Sequence, residues 1–184
     1  MRHALIFPNE GLFIALHNEV RDDIIHLAKQ AFFHHCVHNE PIIHLGRSIF
    51  EEEVCNGWSV RETQDDMSIW GLWESQTGRI IDIRFGYAGA NTWKPVRMDK
   101  LLEYWEKTNK NKHGQACYNQ RRHFSPFVLS VDSMMGKEEL LVLATLSQIM
   151  AAKMEEPISQ ITGWYNVRIK IAVVRSYSRL LCGY

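Results

Sequence analysis

The sequence predicts an α/β (α+β) domain in which a central sheet is flanked by helices. Three observations indicate this class. Residues 17–35 and 137–154 have the pattern of helices, residues 66–84 contain two apolar runs joined by a polar turn, and residues 124–131 form a mostly apolar run of strand length. The resulting order of helix, strands, helix, strand, helix and helix is typical of a sheet covered by helices.

Length and composition favour one globular domain. The 184 residues can bury one sizeable core but are too few for two comfortable domains, so residues 1–184 are assigned to a single domain. The hydrophobic fraction of 46% is that of an ordinary folded protein. No run approaches the roughly 18 consecutive apolar residues of a membrane span, and the N-terminal stretch lacks the pattern of a secretory signal. We therefore expect no membrane association.

Cysteine usage and charge distribution favour an intracellular protein with a local basic face. The four cysteines are scattered without a close-spaced pair, which is typical of reduced thiols. The formal net charge of +0 argues against a strongly basic nucleic-acid-binding coat. The charges are nevertheless uneven, because no acidic residue follows Glu156 while basic residues gather in 107–122 and 168–179. Such asymmetry permits a local phosphate-binding surface.

Residues 17–35 are predicted to form the first helix. Asp22 and Asp23 lie in its first turns, where the helix dipole favours negative charge. Its end carries a cluster of potential zinc ligands, namely His34, His35, Cys36 and His38. A structural zinc site usually has two close-spaced pairs of ligands. No second pair is evident, so exposed histidines at a helix end are the preferred interpretation and a structural zinc protein is the weaker alternative.

The segment between the first helix and the hairpin is predicted to contain short strands. Glu40-Pro41 should end the preceding element. Residues 42–45 fit a short strand, residues 51–57 fit a turn, and residues 58–62 could pair onwards.

The second half of the chain alternates helices and strands. The hairpin of residues 66–84 is expected to turn at residues 75–78. Lys94-Pro95 opens a second helix, with proline at its favoured first-turn position, and this helix is expected to fray within residues 109–114. After the strand at 124–131 and the helix at 137–154, Pro157 opens a last helix.

The second run of the hairpin carries charged residues on an otherwise apolar strand. Successive side chains of a strand point to opposite faces. One face takes Ile81, Ile83 and Phe85, and the other takes Ile80, Asp82 and Arg84. Burying an unpaired charge is costly, so this pattern predicts either an internal ion pair or a metal and phosphate site.

A metal site shared by Asp66 and Asp82 meets a geometric objection. In a flat hairpin turning near Gln76, Asp82 pairs with about Gly71 and leaves Asp66 some five residues away. At about 3.3 Å per residue that separation is too large for a shared ion. A shared site therefore requires a bulge or sharp twist near Asp66, for which Gly71 is a plausible position. Exposed or ion-paired aspartates remain the alternative.

Several short motifs together resemble a known nuclease family. They are Asp66, Gly71-Leu72-Trp73, Asp82-Ile83-Arg84, Lys100, Tyr104, Phe124-Ser125-Pro126-Phe127-Val128 and Met135-Gly136, preceded by Gly11-Leu12-Phe13-Ile14 and His17-Asn18-Glu19-Val20-Arg21-Asp22. In this order they resemble the restriction-endonuclease-like domain of non-LTR-type retroelements, a branch of the PD-(D/E)xK nuclease superfamily that accompanies reverse transcriptases. The resemblance spans nearly the whole chain.

The resemblance implies a restriction-endonuclease-like core with a central mixed β-sheet flanked by helices, and an endonuclease dependent on Mg²⁺ or Mn²⁺. By it, Asp66 and Asp82 are metal ligands assisted by Glu19, and Lys100 and Arg84 contact the scissile phosphate. Such an ion can activate water and stabilise the attacking and leaving oxygens, while the cationic side chains neutralise transition-state charge.

Further positions are candidates for nucleic-acid contacts. Tyr104 matches a tyrosine of the family, and Arg121 and Arg122 either grip a DNA backbone or form a plain solvated loop. Trp70, Trp73 and Trp93 are mostly expected in the core, with base stacking as the alternative. His17 either approaches the metal or phosphate or, as we prefer, caps the helix or lies at the surface.

The sequence also departs from the family pattern. Arg84 stands in place of the usual lysine, Asp65 in place of proline, Glu103 in place of a second lysine, Leu16 in place of arginine and Ser133 in place of glycine. Arginine does not act as a proton donor at ordinary pH, so that role would fall to Lys100. The Arg84 and Glu103 departures and the zero net charge support the alternative of a catalytically silent nucleic-acid-binding or assembly module.

The resemblance also implies the setting of the activity. The role would be nicking of target DNA for retroelement insertion, with DNA and a reverse transcriptase or other modules of a parent retroelement protein as partners. An intracellular, nuclear location is expected.

Overall fold

The computed structural model describes residues 10–44, 62–86, 96–130 and 132–182. Within them the chain forms a mixed α/β architecture, which confirms the predicted class. Its elements are α1 Glu10–Ala31, a 3-10 turn His34–Cys36, β1 Val37–Asn39, β2 Ile42–His44, β3 Glu62–Gln64, β4 Met67–Trp70, β5 Gly78–Gly86, α2 Met98–Asn119, β6 Arg122–Ser130, α3 Lys137–Met154 and α4 Ile158–Cys182. The predictions at 51–57, at Lys94-Pro95 and for Trp93 lie outside the described residues.

The main sheet is mixed and has four strands in the order β1-β4-β5-β6. Strand β4 runs antiparallel to both of its neighbours, β1 and β5. Strand β6 returns parallel to β5 after α2, since parallel strands need a crossover connection. Strands β2 and β3 pair separately as an antiparallel ribbon.

The two faces of β5 enter different hydrophobic clusters, as the alternation of the sequence predicts. Ile81 and Ile83 join a large core built with α1, α3 and α4, and Phe85 packs against it. Ile80 packs instead on the α2 face. Asp82 and Arg84 share this second face, so α2 is the helix that closes over them.

The hairpin register differs from the predicted one. Met67 pairs with Ile81 and Trp70 pairs with Gly78, so residues 71–77 form the connection and Gly78 is already in β5. Extending this register by one residue beyond Met67 places Asp66 opposite Asp82. The expected pairing of Asp82 with Gly71 is therefore wrong, and no bulge is needed to bring the two aspartates together. Gly71 has a φ of +79° because it begins the connection.

Helix α1 starts earlier than predicted, and helix α2 ends later than predicted. Helix α1 begins at Glu10 and ends at Ala31 rather than at residue 35. Helix α2 continues to Asn119 instead of fraying within residues 109–114. Its later turns persist because apolar and polar side chains there are buried against the sheet, and these are Asn109, His113, Ala116 and Cys117. None of the helices in the described segments is long and apolar enough to cross a membrane.

The packing of α2 on β5 depends on a glycine. A Cβ added at Gly86 would collide with the ring of Trp105, which is itself buried. We expect Gly86→Ala to destabilise the protein by about 1–3 kcal/mol, because the indole must leave its packed position. Chemical denaturation would measure the loss.

Gly114→Ala is the matched control, since a Cβ there meets nothing within 4 Å. It lies within α2 and should stabilise the protein by roughly 0.5–1 kcal/mol through its better helix propensity. Equal effects of the two substitutions would show that the Trp105 contact does not limit stability.

Glu139 is fully buried on α3. Burial raises its pKa well above the ordinary value and the charge of Glu106 adds to the shift, although a backbone hydrogen bond at Gly136 opposes it. A raised pKa means that the protonated carboxyl stabilises the fold fully below its ordinary pKa, and that this stability is lost as pH rises toward the raised pKa.

We expect Glu139→Gln to remove part of that pH dependence. The wild type should lose stability relative to the variant as pH rises above the ordinary glutamate pKa, with a slope of at most about 1.4 kcal/mol per pH unit. Denaturant unfolding at several pH values measures both slopes. Parallel curves would mean that Glu139 does not titrate with folding.

Candidate active site

The site begins where β4 is shorter than β5. Beyond Met67, no strand of the described residues pairs with the side of β5 that faces β4, and side chains take over hydrogen bonds there. The Ile83 amide donates to Asp66 Oδ2 at 2.6 Å. His17 of α1 reaches the same residue, with Nε2 at 3.1 Å from the Ile83 carbonyl oxygen and 3.2 Å from Asp66 Oδ2. Asp66 and His17 thus meet at the backbone of one residue of β5.

Asp82 is held on the α2 face by an amide bridge. Asn109 donates from Nδ2 to Asp82 Oδ2 at 2.9 Å. Arg84 donates from Nη1 to Asn109 Oδ1 at 3.0 Å. The amide has one orientation that suits both neighbours, because a carboxylate only accepts and a guanidinium only donates. Asn109 therefore sets the positions of both charged side chains.

Asp65 is a third acid that the sequence interpretation did not include in the site. It is only 2% exposed, and neither carboxylate oxygen has a hydrogen-bond partner among the described residues. His113 Nδ1 lies 3.3 Å from Asp65 Oδ1 but not in hydrogen-bonding geometry. The His113 ring stacks on Phe124. The available signal was the pair of adjacent acids immediately before an apolar strand.

The three acids interact electrostatically. Burial raises the pKa of Asp82 to about 6, and the negative charge of Asp66 adds to the shift. Burial raises the pKa of Asp65 to about 7, with further contributions from Asp82 and Asp66. Lys112 of α2 opposes both shifts. Acids held together in this way occur at sites that bind protons or cations.

The histidines of the site differ in their electrostatics. The hydrogen bond to Asp66 is the largest cause of a raised pKa at His17, although burial opposes it. Burial lowers the pKa of His113. Positive charge is therefore favoured on the His17 ring and disfavoured on the His113 ring.

Glu19 lies on another part of α1. Its carboxylate accepts from Ser176 Oγ and Arg179 Nη1, both at 2.6 Å, and from Arg175 Nη1 at 3.3 Å. These partners all belong to α4. Residues two positions apart in an α-helix are separated by about 200° around its axis. Glu19 and His17 therefore point in nearly opposite directions. The α1 side chain that reaches Asp66 is His17, and Glu19 joins α1 to α4.

Lys100 is separated from the acids along α2. It is exposed in the first turn and donates to Glu103 Oε2 at 2.9 Å. Asn109, which contacts Asp82, lies nine residues later, or about 14 Å along the helix axis. Tyr104 is exposed between these two positions. The lysine of α2 whose charge acts on Asp82 is therefore Lys112.

Arg121 and Arg122 lie at the far end of the sheet. Arg121 is exposed in the turn before β6, and the Arg122 guanidinium is 5.7 Å from the centroid of the Trp70 ring. Arg122 pairs with Gly78, whereas Asp82 is four residues further along β5, or about 13 Å. These arginines form a surface next to the site and do not touch its acids.

A second contact between an arginine and a tryptophan lies near the end of the sheet that carries Arg122 and Trp70. The Arg79 guanidinium is 3.8 Å from the centroid of the Trp73 ring. Trp70 and Trp73 are both partly exposed, which departs from the expectation that they lie in the core.

The donor chemistry limits which metal sites fit. Within the described ranges, no group of three or more histidine, cysteine, aspartate or glutamate side chains is arranged to hold a metal ion, and this includes residues 34–38. Magnesium, however, usually keeps several waters and takes only one or two carboxylates. Asp66, Asp82 and the Ile83 carbonyl offer such a set of oxygens. The residues present therefore fit a hard, hydrated divalent cation.

Comparisons of the chain with protein-family models and with curated proteins find no significant match.

Lys112 provides a test of the site's electrostatics. Because its charge opposes the pKa shifts of Asp65 and Asp82, we expect Lys112→Met to raise both pKa values further above about 7 and about 6. Carboxyl ¹³C NMR titration of metal-free protein at low salt would measure them, since salt screens exposed charges.

Lys100→Met is the matched control, because Lys100 pairs with Glu103 and lies far along α2. It should leave both aspartate pKa values unchanged. If the two lysine variants gave the same shifts, the assignment of Lys112 to the site would be wrong.

Proposed function

We propose that the protein is a metal-dependent DNA endonuclease that hydrolyses phosphodiester bonds with Mg²⁺ or Mn²⁺. The observation that carries this proposal is the convergence of Asp66 and Asp82 across the hairpin, with Asp65 buried beside them. Burial, with the negative charge of Asp66 in addition, raises the pKa of Asp82 to about 6. A folded chain that keeps like charges together at this cost is well suited to bind a cation between them.

The residues have distinct roles in this proposal. Asp66, Asp82 and the Ile83 carbonyl would hold the ion, which when bound lowers the pKa of a water and stabilises charge on the phosphate. Arg84, positioned by its hydrogen bond to Asn109, would neutralise the phosphate. Lys112 takes the place first assigned to Lys100 as the cation of α2. Arg121, Arg122 and Tyr104 remain candidates for contacts with DNA outside the reacting group.

The pKa of Asp82 implies a pH dependence for cation binding. Ligand carboxylates bind metal in their deprotonated form. Below about pH 6, Asp82 is mostly protonated, so protons compete with the ion. Cation affinity should therefore rise as pH increases through this value.

The biological setting of the proposal is the nicking of target DNA for retroelement insertion. It rests on the motif resemblance, and a mixed sheet flanked by helices is in keeping with the restriction-endonuclease-like core that this resemblance implies. Reverse transcriptase or other retroelement modules would be the protein partners, and the location would be nuclear.

A second candidate is a silent nucleic-acid-binding or assembly module on the same fold. One observation favours it: Asp66 Oδ2 already accepts a hydrogen bond from Ile83 and lies against His17, so it serves the sheet edge without any metal. Arg84 in place of lysine points the same way. Such a module would bind DNA through the arginines near Trp70, with an affinity that falls steeply with salt.

Plasmid nicking separates these two candidates. We expect the protein to nick supercoiled plasmid only when Mg²⁺ or Mn²⁺ is present. Asp82→Asn should reduce the rate by more than about 100-fold, because even outer partners of metal ligands typically contribute 10- to 100-fold. Gel analysis of open-circular product gives the rate.

Asp99→Asn is the control, since Asp99 is an exposed acid of α2 that pairs with Arg97. It removes the same charge and should leave nicking unchanged. Absence of nicking, or equal nicking by wild type and Asp82→Asn, would reject the nuclease. Salt-dependent DNA binding without nicking would then support the silent module.

A further inference from the structure

One nitrogen of α1 lies between two oxygens of the candidate site. His17 Nε2 is 3.2 Å from Asp66 Oδ2 and 3.1 Å from the Ile83 carbonyl oxygen. The His17 ring packs edge-on against Phe85, with 6.4 Å between ring centroids and an interplanar angle of 76°. The imidazole is therefore oriented by its neighbours, with Nε2 facing the oxygens.

These spacings are those of neighbouring ligands around one ion. Adjacent ligands of an octahedral ion at about 2.1 Å lie about 3 Å apart. In the metal-free protein, a proton on Nε2 provides the attraction to both oxygens. An ion at this point would replace that proton. The imidazole would then bind through its Nε2 lone pair, with its proton on Nδ1.

We propose that His17 is a ligand of the divalent cation in this site and that it makes the site prefer Mn²⁺ to Mg²⁺. This inference rests on the proposed function, because it uses the same cation. The direct ligands would be the His17 nitrogen, the Asp66 carboxylate and the Ile83 carbonyl, whose mutual contacts are seen in the structure. Asp82, on the α2 side, would hold the ion through a bound water, since such ions keep several waters.

The preference follows from the chemistry of imidazole. Magnesium takes oxygen ligands almost exclusively, whereas transition metals accept nitrogen, with affinities that increase from Mn²⁺ onwards along the series. A site made only of Asp66, Asp82 and a carbonyl would discriminate weakly between the two ions. The nitrogen of His17 adds affinity for Mn²⁺ with little gain for Mg²⁺.

A purely structural role for His17 predicts a different result. If His17 only completed the hydrogen bonding of Ile83 at the open edge of β5, its loss would lower stability and weaken both ions equally. The ratio of the two affinities, rather than either affinity alone, therefore tests the proposal.

The experiment is isothermal titration calorimetry of the whole chain with Mn²⁺ and with Mg²⁺, supported by electron paramagnetic resonance of bound Mn²⁺. We expect His17→Ala to weaken Mn²⁺ binding by about 10- to 100-fold and Mg²⁺ binding by less than about 3-fold. His26→Ala is the control, because His26 is an exposed histidine of α1 bonded only to Gln30 among the described contacts. It should change neither affinity.

His17→Gln is a second variant that keeps the proposal testable if His17→Ala does not fold. Its amide can still donate to Ile83 and Asp66 but offers an oxygen in place of the nitrogen ligand. It should keep Mg²⁺ binding and lose the preference for Mn²⁺. An unchanged ratio of Mn²⁺ to Mg²⁺ affinity in His17→Gln would overturn the proposal.

The outcomes also distinguish this inference from the proposed function. Loss of binding in Asp82→Asn with unchanged Mn²⁺ preference in both His17 variants would reject the ligand role of His17 and leave the nuclease standing. Failure of the wild type to bind either ion would reject both.

Discussion

The backbone at Ile83 is the constraint around which the site is arranged. Buried peptide N–H and C=O groups require partners, and β4 ends too early to provide them for this part of β5. Asp66 supplies the acceptor and His17 lies at the carbonyl. Two side chains are thus drawn to the backbone of one residue by the need to complete the sheet edge. In the proposed nuclease, Asp66 would have both a structural and a catalytic use, because the oxygen that accepts from the backbone is also the one next to His17.

The face of the sheet that α2 covers holds acids that are less well stabilised than Asp66. Asn109 gives Asp82 one hydrogen bond but no charge, while Asp65 has no hydrogen bond within the described part of the chain. The charges of Lys112, His17 and Arg84 oppose the rise in the pKa of Asp82 without cancelling it. The fold therefore keeps three acids close together in a partly buried place. Clustering of this kind lowers stability and is expected where a cation or proton is bound as part of function.

The local sequence pattern predicted part of this arrangement, and the rest depends on packing between distant parts of the chain. Alternation along residues 80–85 correctly separated Asp82 and Arg84 from the apolar core, because a strand has a strict two-residue period. The register could not be read in the same way, since it depends on a seven-residue connection whose length no alternation specifies. Helix periodicity likewise cannot tell which face of α1 meets the sheet, so Glu19 was expected where His17 lies.

The positions of the basic groups bear on whether the acids catalyse or only bind. Lys100 is paired with Glu103 at the start of α2, so the lysine expected from the motif does not serve the site. Arg84 is fixed beside Asp82 through Asn109, which suits recognition of a phosphate but not proton transfer. Any proton delivered to a leaving oxygen would then come from water on the ion or from a solvent-exposed group. In the proposed nuclease, chemistry would thus depend on the cation more heavily than in a site with its own lysine, and the ligands that select the cation would be decisive for activity.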